Sequence, residues 1–315
     1  MSKILLLGAS GFLGRHTLPV LEQKYGKENI VAVCSKDYDL LNFNECQRMF
    51  KEIKPEFVVH FAAYSGGIGA NKAYPADFYH INILLQSHVF KCAADYGVKK
   101  MVYPIGGCSY PSDAKSPIDE GQMWRGYPQQ ESAGYSAAKM LGIVASKSYR
   151  SQYGLKTSVI VPGNMYGEYD NFIYADSHVL PAMLRRYYEA KINNLPEVLM
   201  WGSGKPQRDF VYAGDVAKAI PYFIDEYDSD EIVNISSGTT TSIKELAEMI
   251  KKFTAYSGEI RWDTQKPDGQ MIKIFDTTKM KSLGLTCPTT LLEGIEKTAL
   301  WLEKNYKDKS DGIRL

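Results

Sequence analysis

The sequence predicts an α/β protein, a doubly wound parallel sheet with a smaller mixed α/β domain beside it. Three observations carry that expectation. Residues 3–7 form a short apolar run that ends in the glycine-spaced turn GASGFLG and opens into an amphipathic stretch. Further continuous apolar runs then alternate with helical patterns, which is how buried parallel strands and their crossover helices read in sequence. Beyond Gly167 the alternation breaks, and a chain of 315 residues is long enough to hold a second, smaller unit.

The first strand, 3–7, runs into Gly8, Gly11 and Gly14, with Ser10, Phe12 and Leu13 in the same turn. Glycines so spaced between a strand and a helix let backbone N–H groups approach a pyrophosphate seated on the helix N-terminus, the Rossmann-type arrangement. Pro19 falls inside the helix and predicts a kink or an early break. The second strand, 30–34, closes on Cys34-Ser35-Lys36. An acid at that place selects NAD through its ribose hydroxyls. A hydroxyl and a cation there fit the extra phosphate of NADP, with NAD as the other choice. Asp39 and Leu40 follow as adenine contacts before the amphipathic helix FNECQRMFKEI.

The third strand, 55–63, contains His60, which reads as a core histidine, and ends on Ala62 and Ala63, assigned to the cofactor. The loop AYSGGIGANKAYP carries glycines that can run close to a ligand. A long helix over about 76–96 precedes the fourth strand, 100–104. The fifth, 157–161, delivers Pro162 and Asn164 to the carboxyl edge of the sheet, where ligands gather in such folds. From residue 168 the chain reads as the helix SHVLPAMLRRYYEAK, then Asp215 placed to cap the next helix, then a sixth strand, EIVNISSG, returning to the sheet. The helix SIKELAEMIKKF, the strand EIRW, the turn KPDGQ and the helix LLEGIEKTALWLEKNY complete the chain. The expected division is 1–167 and 206–238 for dinucleotide binding, 168–205 and 239–315 for the substrate.

Composition narrows the function classes. A net charge of +1 with 23% charged and 44% apolar residues gives no electrostatic reason for nucleic acid or a membrane surface. No run approaches the length of a membrane span, and the N-terminal apolar run reads as a strand rather than a signal peptide. The five cysteines are dispersed without a CxxC, which predicts reduced thiols in a cytoplasm and no metal site.

Chemistry concentrates between Gly106 and Lys139. Tyr135 and Lys139 are four residues apart, so on a helix they share a face. An ammonium beside the phenol favours the phenolate and draws its pKa from ~10 toward neutrality. Such a tyrosine can pass a proton to or from a sugar oxygen while hydride moves at the carbon beneath.

The glycine pattern and YxxxK, with SKDYDL, HFAAYSGGIGAN, CSYP, PGNMYGEYDNF, DSHVLPAMLRR, WGSGKPQRDFVY and KPDGQMIK, cover nearly the whole chain. Together they resemble the extended short-chain dehydrogenase/reductases, and within them the GDP-L-fucose synthase family of NADPH-dependent GDP-4-keto-6-deoxymannose epimerase/reductases. The resemblance implies roles residue by residue. Tyr135 is the proton donor and Lys139 its partner, both also touching the cofactor. Cys108 and His178 form an acid/base pair that epimerises the carbons beside the ketone. Asn164 and His178 line the substrate pocket, and Arg186, Trp201, Arg208 and Lys273 hold the nucleotide diphosphate. It also implies a homodimer through the two long helices, 76–96 and 132–153.

One departure matters. The family carries a Ser or Thr two residues before the cysteine, where this chain has Gly106 followed by Gly107. An extended backbone would turn Ser109 away from the site, and the paired glycines suggest room for a bulkier sugar such as a heptose. The family's glycine-loop arginine is replaced by Ser10. The readings are then an NADP(H)-dependent epimerase/reductase of a GDP-4-keto-6-deoxy sugar, a nucleotide-sugar C4 dehydrogenase or epimerase with tightly held NAD, or a cofactor-binding protein without catalysis.

Overall fold

The computed structural model describes residues 3–174, 176–266, 268–306 and 314. In chain order the strands are β1 (Ile4–Leu7), β2 (Ile30–Val33), β3 (Phe57–His60), β4 (Lys100–Pro104), β5 (Lys156–Pro162), β6 (Asn164–Tyr166), β7 (Glu197–Trp201), β8 (Gln207–Arg208), β9 (Phe210–Tyr212), β10 (Val233–Ile235), β11 (Thr241–Ser242), β12 (Glu259–Asp263) and β13 (Ile272–Lys273). The helices are α1 (Phe12–Tyr25), α2 (Phe43–Ile53), α3 (Ile68–Ala73), α4 (Pro75–Asp95), α5 (Ala133–Tyr153), α6 (Val179–Ile192), α7 (Ala213–Asp225), α8 (Ile243–Thr254), α9 (Thr278–Ser282) and α10 (Leu291–Tyr306).

Six strands form one sheet in the order β10-β5-β4-β3-β1-β2, all parallel. Strand side chains alternate between faces. Leu5, Leu7, Met101, Tyr103 and Val159 therefore join one buried cluster with α2, α4 and α5. Ile4, Leu6, Val102 and Ile160 join the opposite cluster with α1 and α7. This double burial is why the strands read as unbroken apolar runs. Strand order reverses direction between β1 and β3, and a crevice opens outside their carboxyl ends at such a point.

A third core stands apart, with Leu184, Tyr187, Leu246, Ile250, Ile295 and Leu302 packing α6, α8 and α10 together. α8 opens with a complete capping box, Ser242 with Glu245. Small sheets border this unit: β7 with β12 in parallel, and β8 between β11 and β13. In that three-stranded sheet Lys273 lies in register with Arg208.

Two expectations change. α1 runs through Pro19 without a break. Asp215 sits in the first turn of α7 but does not cap it; its buried carboxylate accepts from the Thr289 amide at 2.7 Å and hydroxyl at 2.9 Å, tying the segment before α10 to α7. No helix among the described residues is long and apolar enough to cross a membrane, and none of those residues cluster as metal ligands.

Candidate active site

The glycine turn is set by its own packing. Gly8 holds φ +81°, and a Cβ there would stand 2.7 Å from the Ala62 amide nitrogen; one at Gly14 would stand 2.1 Å from the Gly8 carbonyl oxygen. The glycines thus let the turn, α1 and the β3 end close on one another at the switch point. Gly11 is the N-cap of α1 with no side-chain cap, and no acid stands in the first turn. Backbone N–H groups at the start of α1 are therefore free of side-chain acceptors, which suits a pyrophosphate. Ser35 and Lys36 lie exposed in the turn after β2, and Asp37 closes that turn by accepting from the Cys34 amide at 2.8 Å. Asp39 accepts from the Leu41 amide at 3.0 Å. Leu40 and Ala62 both pack against the same buried core. These residues leave the carboxyl ends of β1 and β2 open for a dinucleotide, with the Lys36 side chain exposed beside them.

Beyond β4 the chain turns through residues Gly107–Ser109 in a 3₁₀ turn, not an extended run, so alternation does not decide where Ser109 points; its hydroxyl is buried without a partner. Gly106 lies between two reactive groups. A Cβ on it would be 3.0 Å from the Cys108 sulfur, 3.2 Å from Tyr135 Cε1 and 3.8 Å from the Tyr135 hydroxyl. Cys108 and Tyr135 thus meet at this point. The expected spare room is not there: a Cβ on Gly107 would meet Phe275 Cζ at 2.6 Å. The paired glycines are filled by the thiol, the phenol and the Phe275 ring.

Tyr135 and Lys139 share one face of α5, but the expected depression of the phenol pKa is absent. Burial raises the Tyr135 pKa above its ordinary value, and the nearby Cys108 raises it further. Lys139 Nζ instead sits 3.9 Å from the centre of the Tyr103 ring, and burial lowers its pKa to about 7. A desolvated ammonium loses its proton readily, so it is a weak source of the positive field the phenolate needs. His60 packs against the same Tyr103 ring at 5.4 Å, and burial lowers its pKa to about 3 with Lys139 adding to the effect. It is a neutral core histidine.

Lys273 approaches from the other unit. Burial lowers its pKa, Cys108 offsets part of that, and the Arg208 charge lowers it further. Arg208 donates to the Gln207 and Gln270 carbonyls at 2.8 and 2.5 Å. Asn164 donates to the Asp209 carbonyl at 2.8 Å. Arg186 donates to the Leu199 carbonyl at 3.0 Å, and Trp201 is 69% exposed with Lys266 Nζ 5.7 Å from its ring centre. His178 is the N-cap residue of α6, yet its ring makes no capping bond. The protein around it lowers its pKa by desolvation, Asp176 pulls the other way, and Arg314 adds to the lowering. Asp176 accepts from the Gly67 amide at 2.7 Å and from Asn171 at 3.0 Å, fixing the loop that carries His178 to the glycine loop before α3.

Cys108 and Tyr135 therefore meet at Gly106, Phe275 closes on Gly107 with Lys273 Nζ 5.9 Å from its ring centre, and Arg208 lies in register with Lys273. Arg186 and Trp201 stand on the second unit, and His178 answers to Asp176 and Arg314. Three residues escaped the sequence reading. Phe275 fills Gly107. Asp209, fully buried, accepts from Ser237 at 2.6 Å and from the Gly238 and Phe275 amides at 3.2 Å, holding the Phe275 segment in place. Ser136 lies inside the YSAAK run, and nothing in its spacing from Cys108 marks it in the sequence.

The model of the NAD dependent epimerase/dehydratase family matches residues 4–236. The chain is 38% identical over 308 residues to the putative GDP-L-fucose synthase 2 of Arabidopsis thaliana, covering 98% of this chain and 94% of the relative. Among solved structures it resembles a GDP-6-OMe-4-keto-L-xylo-heptose reductase from C. jejuni, with TM-score 0.88, 31% identity, and coverage of 96% of this chain and 98% of that one. It also resembles a GDP-L-fucose synthetase from Naegleria fowleri bound to NADP, with TM-score 0.87, 27% identity and coverage of 97% and 95%. The chain belongs to the NAD dependent epimerase/dehydratase family, among the extended short-chain dehydrogenase/reductases, and is a relative of the GDP-L-fucose synthases.

Proposed function

We propose that this chain is an NADP(H)-dependent epimerase/reductase of a GDP-linked 4-keto-6-deoxy sugar, hexose or heptose, in deoxysugar biosynthesis. The convergence of Cys108 and Tyr135 at Gly106 carries this reading. A C4 ketone acidifies the protons on its neighbouring carbons. Cys108 takes a proton from one face at C3 and C5, and His178 returns one from the other. Tyr135, whose raised pKa keeps the phenol protonated, gives its proton to the C4 oxygen. Lys139, whose pKa burial lowers to about 7, lies one helical turn beyond it to orient the cofactor. The glycine turn would hold NADPH, Ser35 and Lys36 would bind its 2′-phosphate, and the bound cofactor would supply a hydride for C4. Asn164, Arg186, Trp201, Arg208 and Lys273 bind the nucleotide sugar, in a substrate lobe built on the third core.

The likeness to the C. jejuni heptose reductase favours a second reading, C4 reduction of a heptose without epimerisation. Variants separate the two. Cys108→Ser removes C3/C5 proton exchange, because an alcohol is a far weaker base than a thiolate. Tyr135→Phe stops hydride transfer and leaves exchange. Exchange that survives Cys108→Ser would overturn the acid/base assignment.

The quaternary reading is a homodimer. α4 and α5 pack side by side, and Leu141 and Val144 on α5 with Tyr79 on α4 leave apolar surface exposed. Five free cysteines support a cytoplasmic setting.

A further inference from the structure

We propose that Ser136 is a positioning residue for Cys108: its hydroxyl holds the sulfur beside Tyr135 and stabilises it once the proton has left. The proposal rests on the reading of Cys108 as an acid/base group. Ser136 is fully buried one residue after Tyr135. Its Oγ lies 3.2 Å from the Cys108 carbonyl oxygen and 3.4 Å from the Cys108 sulfur. Ser132 Oγ, one turn earlier, stands 3.5 Å away. A serine in a helix commonly bonds back to a carbonyl of its own helix. Ser136 reaches across 28 residues to the reactive turn instead.

The pairing is selective between protonation states. A hydroxyl has one proton to give, and Cys108 offers it two acceptors. A neutral thiol is a weak acceptor, so the proton rests on the carbonyl. A thiolate is a strong, charge-assisted acceptor, so a rotation about the Ser136 side chain turns the proton onto sulfur. A bond made more strongly to the charged form favours that form. The other groups facing the sulfur are Tyr135 from α5, which repels a thiolate when ionised, and Lys273 from β13, with Arg208 next to it. Lys273 is itself desolvated, so its charge is a conditional support. The Ser136 hydroxyl is neutral and does not titrate in this range.

The test is site-resolved alkylation of the full-length protein with iodoacetamide across pH, read by mass spectrometry, with Cys34 as the internal reference. Ser136→Ala raises the Cys108 midpoint by about 1–2 pH units, the worth of a hydrogen bond to a charged group. Alkylation of Cys108 at neutral pH then slows by ~10-fold or more, and Cys34 does not move. Ser136→Thr keeps the hydroxyl and returns the midpoint toward that of the unmodified protein. An unshifted midpoint in Ser136→Ala overturns the proposal, and so does a Thr variant shifted as far as the Ala variant, which would mark packing as the cause. No sugar enters this assay. A wrong functional reading would show separately, as C3/C5 exchange surviving Cys108→Ser.

Discussion

Restoring a hydroxyl at residue 106 tests how the site is built. Gly106 has φ −76° and ψ 146°, so a side chain there costs no backbone strain. Its neighbours decide the outcome. The new Cβ stands 3.0 Å from the Cys108 sulfur and 3.2 Å from Tyr135 Cε1, so both must retreat by a few tenths of an ångström. The sulfur is held by Ser136 and the phenol is buried against Phe78, with ring centres 6.4 Å apart. Overpacking of this kind costs about 1–3 kcal/mol. At ~1.4 kcal/mol per factor of ten, that is roughly a 5- to 150-fold loss if the strain falls on the reacting geometry. Against it, a well-placed hydroxyl near the C4 oxygen is worth up to ~10²-fold. The Tyr135 hydroxyl, 3.8 Å from the Cβ, is in ordinary contact, so the two tight contacts with the sulfur and the ring decide the sign, and the expected outcome is a net loss. Gly106→Ala isolates the Cβ contact and Gly106→Ser adds the hydroxyl. Steady-state reduction and deuterium exchange of GDP-4-keto-6-deoxymannose should both fall in the two variants, exchange the more, because the sulfur is displaced. A serine variant faster than the unmodified protein would refute the packing argument.

Lys36→Ala should erase a preference for NADPH over NADH, read as the ratio of dissociation constants by fluorescence titration; equal constants in the unmodified protein would contradict the cofactor assignment. Lys139→Met should abolish turnover yet raise the melting temperature of the cofactor-free protein, since the fold buries an ammonium whose pKa drops to about 7. The unfolded chain keeps that proton up to pH ~10.4, so between the two values unfolding takes up a proton and stability rises with pH. The variant's advantage, on the order of 3–5 kcal/mol at and below pH 7, should shrink by pH 10 in denaturant titrations. Leu141→Arg with Val144→Arg should convert a dimer to a monomer by sedimentation, leaving the far-ultraviolet circular dichroism unchanged.

The main sheet was legible because β1, β3, β4 and β5 are buried on both faces and show as apolar runs. β6, β8, β9, β11 and β13 span two or three residues each, too few for any period to show. β7 was legible in principle: its burial alternates residue by residue from Glu197 to Trp201. Asp215 is ambiguous in sequence because an acid at a helix start looks the same whether it caps the helix or braces a distant segment. The Tyr135–Lys139 spacing was read correctly, but spacing says nothing of depth, and depth reverses the expected direction of the phenol pKa. Gly106 and Gly107 looked like space because the residues filling them, Tyr135 and Phe275, are distant in sequence.

The most direct measurement is proton NMR of the unmodified protein with GDP-4-keto-6-deoxymannose in deuterated water, with and without NADPH. The account predicts deuterium at C3 and C5 without cofactor, and a reduced, doubly inverted sugar once NADPH is added. A product reduced at C4 with C3 and C5 still protonated would contradict the epimerase assignment of Cys108 and His178, and no reduction with NADPH on any 4-keto GDP-sugar, hexose or heptose, would contradict the account as a whole.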